Sequence, residues 1–263
     1  MSILDTITAH KKIEVSKRKQ AKTIDSLQES SFYTRKPLSL KDFLTDKRKN
    51  GIIAEFKRKS PSKGIINDKV NIKEVVTGYE KAGASAVSVL TDTDFFGGTD
   101  NDIMEIRNSI GIPVLRKEFI IDEYQVYESK SIGADVILLI AAILIKDQAF
   151  NLARLAHSIG LQVLMEFHDD NEIGIMNEYV DVAGINNRNL KTFEVSLEHS
   201  AELASRLPQG ILKISESGIS SPDDIIFLKK YGFDGFLIGE NFMKAEMPAR
   251  AFADFASAIK TMV

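Results

Sequence analysis

Charged side chains stand where short apolar runs of the sequence stop. Glu55 and Lys57 end the first of these runs and lie two residues apart, so on a strand they point the same way. A charged pair facing packed helices would be badly placed, and we therefore expect both side chains to point inward, near the mouth of the fold. The chemistry available is that of amines, carboxylates and backbone amides, because the chain has no Cys and so no thiolate nucleophile.

Later runs end in the same way. Polar side chains follow the third, fifth, sixth, seventh and eighth runs, at residues 116–118, 166, 186–189, 215–217 and 240–241. Any one of them could be a solvated loop residue. Their recurrence at successive strand ends is what indicates a site, because active sites of α/β barrels lie at the carboxyl ends of the strands.

Glycines after the last two runs indicate a phosphorylated ligand. Ser217 and Gly218 follow the seventh run, and Gly239 follows the eighth. The loops after strands seven and eight of a barrel commonly bind phosphate through backbone N–H groups, and glycine allows close approach of the backbone. The motif predicts a phosphate but does not name the rest of the ligand.

The elements that must position these residues are eight apolar runs, each too short for a helix. They are residues 52–56, 86–90, 113–115, 136–140, 162–165, 182–185, 211–214 and 235–238. Continuous apolarity is typical of strands buried on both faces of a parallel sheet. Amphipathic helical patterns lie between the runs, and one of them begins with Ser221 as the cap and Pro222 in the first turn.

This alternation predicts an α/β protein with a (β/α)8 TIM-barrel fold, and an open doubly wound sheet is the alternative. Residues 1–48 precede the first strand and are predicted to form an N-terminal helical extension. The prediction for residues 1–263 is a single barrel domain with that extension.

Composition excludes several classes of site and partner. With no Cys and four His, the 263 residues are poorly suited to a metal site, and we expect no bound metal. The net charge of −3 argues against nucleic acid as a partner. No signal segment is apparent, and the longest apolar run, residues 136–145, is too short to span a membrane. We therefore expect no membrane partner and a cytoplasmic protein.

Five segments, residues 53–62, 114–120, 184–190, 215–219 and 236–239, together resemble the indole-3-glycerol-phosphate synthase family of tryptophan biosynthesis. The opening residues 3–5 and 9–11 are also similar to the family's N-terminal helix. The likeness covers nearly the whole chain. Its most specific motif is Glu-x-Lys-x-x-Ser-Pro-Ser at residues 55–62.

The resemblance implies a carboxy-lyase that works without a cofactor. Its substrate would be 1-(2-carboxyphenylamino)-1-deoxyribulose 5-phosphate, which closes to indole-3-glycerol phosphate with loss of carbon dioxide and water. By resemblance, Lys117 is the general acid at the carbonyl oxygen, and Glu166 stabilises the developing cation and moves protons during dehydration. Glu55 would orient the lysines, and Lys57 would hold the anthranilate carboxylate and is a candidate second proton donor. The division of roles among Glu55, Lys57 and Glu166 stays open.

The same resemblance implies the binding residues. The phosphate would be held by Ser60, Gly218, Gly239 and the backbone at Glu240. The residues implied to contact or brace the rest of the substrate are Phe119, Leu139, Asn186, Arg188, Glu216 and Ser217. Two of these have a structural alternative, since Arg188 could pair with Glu216 only to hold loops, and Phe119 could belong to the core.

Two positions depart from the family pattern. Glu118 follows the expected general acid where Asp is common, and Glu240 follows Gly239 where Ser is common. A carboxylate that faced a phosphate would repel it, so we expect Glu240 to offer only its backbone N–H and to turn its side chain away.

Other functions remain open on sequence alone. A sugar-phosphate isomerase or a flavin-dependent barrel would share the phosphate loops but would not need Glu55 and Lys57 together with Lys117. A catalytically silent barrel that binds phosphate ligands or a partner enzyme would not need Glu55, Lys117 and Glu166. For partners, we expect a small phosphorylated substrate and a monomer that associates at most weakly with other tryptophan-pathway enzymes.

Overall fold

Eight parallel strands close into a barrel in the computed structural model, which describes residues 2–189 and 194–262. The strands, β1 to β8 in chain order, are Ile52–Phe56, Ala86–Leu90, Val114–Lys117, Val136–Ile140, Gln162–Phe167, Val182–Asn186, Leu212–Glu216 and Gly235–Ile238. Each pairs with the next, and β8 pairs with β1. The barrel prediction is confirmed, and the open-sheet alternative is wrong because the two ends of the sheet join.

Four predicted runs match β1, β2, β4 and β8, whereas the other four strands reach further toward their polar ends. Lys117 pairs with Leu90, and Glu166 pairs with Ile140. Hydrogen-bonded pairing with a neighbouring strand therefore carries the charged residues into the sheet, which apolarity alone could not predict.

Helices surround the strands. They are α1 Ile3–Ala21, α2 Ile24–Gln28, α3 Leu40–Thr45, α4 Ile72–Lys81, α5 Thr93–Phe96, α6 Asp100–Arg107, α7 Glu123–Ser131, α8 Lys146–Ser158, α9 Leu197–Ala204, α10 Pro222–Lys229, α11 Glu240–Met243 and α12 Pro248–Met262. Short 3-10 helices cover Ala141–Ile143 and Asp170–Ile175, and a two-stranded ribbon pairs Lys59–Ser60 with Gly64–Ile65. As predicted, Ser221 caps α10 and Pro222 opens it. None of the helices in these described ranges has the length and apolarity to cross a bilayer.

The strand side chains divide between two cores, because successive residues of a strand point to opposite faces. One core lies between strands and helices and includes Phe56, Ile137 and Met165. The other fills the barrel interior. There, the odd-numbered strands contribute one layer of four buried side chains, which are Ile53, Leu115, Leu164 and Ile214. Alternate strands supply each layer of such a barrel.

The N-terminal extension is helical, as predicted, and contacts both ends of the barrel. Ile3, Leu4 and Ile7 of α1 line the cavity at the carboxyl ends of the strands. Leu40 and Leu44 of α3 pack into the interior cluster from the other end.

A buried lysine fixes α1 to the barrel. The Nζ of Lys11 lies 2.6 Å from Glu14, 2.9 Å from Asp92 and 3.0 Å from Glu118. Burial lowers the pKa of Lys11, but Glu118 and Asp92 outweigh it and raise the pKa above its usual value. Glu118 therefore has a structural partner in α1, which accounts for the carboxylate that follows Lys117.

Asp135 ties the rest of the extension to the sheet. One of its carboxylate oxygens accepts hydrogen bonds from Arg35 and from the Leu38 N–H at 2.7 Å, and the other accepts from Arg107 at 2.6 Å and from the Val114 N–H at 2.8 Å. Its side chain is completely buried. Four donors from two segments of the chain thus converge on one carboxylate.

Replacing this carboxylate should destabilise the fold strongly. Asp135→Ala leaves the buried Arg107 without its counter-ion, and such a loss costs about 3–5 kcal/mol. Urea unfolding followed by circular dichroism measures the change. Asp46→Ala, which breaks a pair with the exposed Arg48, is the control and should have a much smaller effect. A loss of less than about 1 kcal/mol in Asp135→Ala, the range of a surface pair, would contradict this assignment.

Candidate active site

A cavity of about 300 Å³ opens at the carboxyl ends of the strands. The predicted site residues that line it are Glu55, Lys57, Ser60, Lys117, Phe119, Glu166, Asn186, Arg188, Glu216, Ser217, Gly218, Gly239 and Glu240. Strand pairing therefore brings together residues that lie up to 185 positions apart in the chain.

Leu139 is the exception, and the prediction that it contacts the substrate ring is wrong. Its side chain packs in the core between strands and helices. Its neighbours Leu138 and Ile140 point into the barrel and line the cavity. The error is one of strand parity, since a shift of one residue moves a side chain to the other face.

Four charged side chains form the top layer of the barrel interior, the charge layer. Glu55, Lys117, Glu166 and Glu216 come from β1, β3, β5 and β7, and each lies two residues after one member of the apolar layer described above. Three carboxylates therefore surround one ammonium group, directly above four aliphatic side chains.

The Lys117 ammonium is shared between two carboxylates. Its Nζ lies 2.9 Å from Glu166 Oε2 and also contacts Glu216 Oε2. Burial opposes the charge on Lys117, but Glu166 and Glu216 outweigh it and raise the pKa of Lys117 well above its usual value. Lys117 is thus held protonated, the state in which an amine can act as a general acid.

Glu166 has two further partners. Its Oε1 lies 3.0 Å from His168 Nε2 and accepts a hydrogen bond from Asn186 Nδ2 at 3.2 Å. Burial favours the neutral acid, yet Lys117 and His168 hold the pKa of Glu166 well below its usual value. His168 belongs to none of the sequence motifs described above, although its spacing of two residues from Glu166 was a usable signal.

Glu216, the other partner of Lys117, differs from Glu166 in its pKa. Burial, and the charges of Glu166 and Glu55, raise the pKa of Glu216 to about 7, although Lys117 opposes the shift. Gly184 on the neighbouring strand makes room for this carboxylate, since a Cβ there would lie 2.2 Å from Glu216 Oε1.

Glu55 and Lys57 point the same way, as the spacing predicts. Lys57 Nζ lies 2.8 Å from Glu55 Oε1. Ser88 Oγ donates a hydrogen bond to the other oxygen of Glu55 at 3.4 Å. The pair forms a second ammonium–carboxylate group at the same mouth.

The loops after β7 and β8 have a backbone shaped for close approach. Ser217 and Gly218 both have positive φ, 71° and 73°, a conformation that is uncommon for Ser. A Cβ on Gly218 would lie 2.2 Å from Val195, and a Cβ on Gly239 would lie 2.6 Å from Glu55 Oε1. Both glycines are therefore required by packing, independently of any ligand.

Glu240 directs its side chain toward the ribbon loop after β1. Its Oε1 lies 3.8 Å from Lys63 Nζ, and both side chains are partly exposed. The backbone of Gly239 and Glu240 begins the short helix α11.

Across the barrel from the loops after β7 and β8, the wall of the cavity is apolar. Phe119 is almost completely buried and its ring lies 5.9 Å from that of Phe96. Phe119 belongs to the interior cluster and also lines the cavity, so the core and site interpretations both describe it. Within residues 2–189 and 194–262, no cluster of three or more His, Asp and Glu side chains is arranged to hold a metal ion.

Two comparisons of the sequence with known proteins indicate the same family. The family model of indole-3-glycerol phosphate synthase matches residues 4–255. Curated proteins named indole-3-glycerol phosphate synthase are similar to the chain. The protein of Bacteroides thetaiotaomicron is 48% identical and the alignment covers 98% of this chain and 99% of the relative. That of Thermoanaerobacter pseudethanolicus is 42% identical, with 98% of each covered, and that of Polynucleobacter asymbioticus is 41% identical, with 96% and 98% covered.

Among solved structures, tryptophan synthase subunit alpha from Legionella pneumophila str. Paris superposes with a TM-score of 0.61 at 13% identity. The match covers 84% of this chain and 97% of that one. At this identity the likeness concerns the fold alone, and it agrees with the closed barrel.

The elevated pKa of Glu216 predicts a pH-dependent contribution to stability. Because this pKa is about 7 in the folded state, above the roughly 4.3 of an unfolded Glu, Glu216 stabilises the fold at low pH. That contribution is lost as pH rises through about 7. The stability of the wild type relative to Glu216→Gln should therefore fall between about pH 4 and about pH 7 and stay constant at higher pH.

Urea unfolding of both proteins across this range measures the difference. Glu178→Gln, a change at an exposed carboxylate, is the control and should show a flat difference. A flat or rising difference for Glu216→Gln would contradict the assignment.

Proposed function

The chain belongs to the indole-3-glycerol phosphate synthase family, and from this premise we propose how its residues carry out the reaction. The activity is that of a carboxy-lyase of tryptophan biosynthesis. The enzyme closes the ring of 1-(2-carboxyphenylamino)-1-deoxyribulose 5-phosphate and releases carbon dioxide and water. The observation that supports the assignment of roles is the Lys117 ammonium held between Glu166 and Glu216 at the base of a half-apolar cavity.

The substrate lies across the mouth of the barrel. Its phosphate binds the backbone at Gly218, Gly239 and Glu240, where two tight glycines keep side chains out of the way, and Ser60 donates from the ribbon. The aromatic ring packs on the opposite wall, against Phe119, Leu138 and Ile140. In this proposal Leu138 and Ile140 take the place of Leu139, whose side chain faces the helices.

Polar groups then orient the remaining parts of the substrate. Lys57 pairs with the anthranilate carboxylate by charge, in exchange for part of its contact with Glu55. Asn186, Arg188 and Ser217 meet the anthranilate or the sugar hydroxyls. These contacts bring the ring carbon that bears the carboxylate next to the ribulose carbonyl.

Lys117 donates a proton to the carbonyl oxygen as the ring carbon attacks the carbonyl carbon. The new carbon–carbon bond takes its electrons from the ring, and the cation that develops there lies near Glu166. Carbon dioxide leaves, and the electrons of the broken bond restore the aromatic ring. Glu216 braces Lys117 throughout, which fixes the direction of the donated proton.

Dehydration completes the reaction. The hydroxyl formed in the first step leaves as water after it receives a proton, and a proton is removed from the five-membered ring. We assign the removal to Glu166, the supply of the proton to Lys57, and the orientation of both lysines to Glu55. The charge layer together with Lys57 supplies the donors and acceptors that these steps need.

The proposal also covers domain organisation, location, oligomeric state and cofactors. The chain acts as a single barrel domain with its extension, because Asp135 and Lys11 bind that extension to the sheet through buried charges. We propose a cytoplasmic monomer that needs neither a metal nor an organic cofactor and associates at most weakly with other tryptophan-pathway enzymes. Size-exclusion chromatography tests the monomeric state, and turnover in the presence of a chelator tests whether a metal is needed.

Loss of the proton donor should abolish most turnover. Lys117→Ala is expected to lower kcat at least ~100-fold, the size of general-acid effects. The assay incubates pure protein with the carboxyphenylamino substrate and follows indole fluorescence. Lys12→Ala, at an exposed residue of α1, should keep wild-type turnover. Absence of turnover in the wild type would overturn the function, and near-normal turnover in a folded Lys117→Ala would overturn the role.

Removal of the carboxylate beside the phosphate loop should tighten substrate binding. Two unit charges about 5 Å apart in water repel by about 0.8 kcal/mol, so Glu240→Ala should lower KM by up to about fourfold. Lys63→Met removes the opposing ammonium and should raise KM. Steady-state kinetics at low ionic strength measures both, with Glu246→Ala as the control at an exposed site. An increased KM in Glu240→Ala would show that this side chain contributes to binding.

A further inference from the structure

His168 contacts the charge layer, although the proposed reaction does not use it. The residue follows β5, two positions after Glu166, and its side chain is 10% exposed. Nε2 lies 3.0 Å from Glu166 Oε1, and Nδ1 lies 3.7 Å from Glu172 Oε2. The imidazole ring thus lies between one carboxylate of the site and a second carboxylate outside it.

Glu172 also holds the backbone at this point. Its Oε2 accepts a hydrogen bond from the His168 N–H at 2.7 Å. From α9, His199 Nε2 lies 3.1 Å from the His168 carbonyl oxygen. Backbone contacts on both sides therefore restrict where the ring of His168 can lie.

The two oxygens of Glu166 have different partners. Oε1 faces His168 and Asn186, whereas Oε2 faces Lys117. With Oε1 occupied on the far side, the carboxylate plane is turned so that Oε2 points at the ammonium. Asn186 supplies a hydrogen bond but no charge, so His168 is the group that can add positive charge on that side.

His168 carries that charge at neutral pH. Burial favours the neutral ring, but its contacts with Glu166 and Glu172 raise the pKa of His168 to about 10. An imidazolium and an ammonium therefore flank Glu166. This matters because Lys117 is shared with Glu216 and cannot fully compensate the charge of Glu166 by itself.

We propose that His168 is a positioning residue for the ring-closure reaction, which as an imidazolium keeps Glu166 ionised and aims its Oε2 at Lys117, while Glu172 holds His168 charged. The inference rests on the proposed role of Glu166. His168 itself does not touch the substrate cavity and acts through Glu166.

His168→Gln tests the role directly, since it removes the charge from a side chain that can still donate a hydrogen bond. We expect kcat to fall about tenfold, because Gln cannot supply the positive charge that keeps Glu166 ionised and the contact is no longer between two charged groups, with KM within about twofold. The acid limb of the kcat–pH profile should move up by about one to three pH units, because loss of a neighbouring cation raises the pKa of a carboxyl.

His157→Gln is the matched control. His157 also pairs with a carboxylate, Asp181, at 2.8 Å, but Asp181 accepts from the Val163 N–H near the start of β5, away from the site. This variant should keep the wild-type kcat and pH profile. A purely structural role for His168 would lower thermal stability and leave the acid limb where it is, which would overturn the proposal.

Glu172→Gln gives a second test that keeps His168 in place. Loss of this carboxylate should lower the pKa of His168, so the imidazolium would lose its proton at a lower pH. The alkaline limb of the kcat–pH profile should then move to lower pH than in the wild type. This variant also serves if His168→Gln does not fold.

Glu166→Gln distinguishes a failure of the His168 proposal from a failure of the role proposed for Glu166. If Glu166→Gln loses activity while His168→Gln and Glu172→Gln keep the wild-type kcat and pH profiles, the inference about His168 is wrong and the proposed function stands. If Glu166→Gln itself keeps full activity, the role proposed for Glu166 is wrong, and the inference fails with it. Indole fluorescence reports all four variants in the same assay.

Discussion

A buried ammonium shared by carboxylates is the interaction on which the rest of this structure depends. Lys117 comes from β3, and its partners Glu166 and Glu216 come from β5 and β7. Charges buried this way are stable only if each finds its partners, because removal of an ion from water is costly. Only a closed barrel brings alternate strands to one point. The fold and the charge layer are therefore tied to each other.

The surroundings of this layer are arranged to keep it charged and in place. Below it lie aliphatic side chains of the same strands, which exclude water. Beside it, Gly184 and Gly239 leave the space that the carboxylates of Glu216 and Glu55 occupy. Behind it, Lys11 binds Glu118, the residue next to Lys117, and so connects the N-terminal helix to the strand that carries Lys117. The extension thus contributes to the site as well as to stability.

An uneven distribution of positive charge among the carboxylates gives them different properties. Glu166 is flanked by two cations and stays ionised, whereas Glu216 shares one cation and has a pKa of about 7. Similar residue types on neighbouring strands therefore differ through environment alone. These differences would allow three Glu side chains of one layer to take the separate roles proposed for them, as a base, a brace and an orienting group.

The sequence alone determined the barrel, the approximate positions of its eight strands and the family, because apolar runs and local motifs are properties of neighbouring positions. Glu55 and Lys57 were correctly paired by their spacing. The face of β4 on which Leu139 lies was not predicted correctly, since it depends on the register in which β4 joins its neighbours. The tertiary structure alone decided that Lys117 lies between Glu166 and Glu216, that His168 contacts Glu166, and that Lys11 is buried. These contacts join residues of different strands or loops, and their energies depend on burial and distance, which exist only once the barrel has closed.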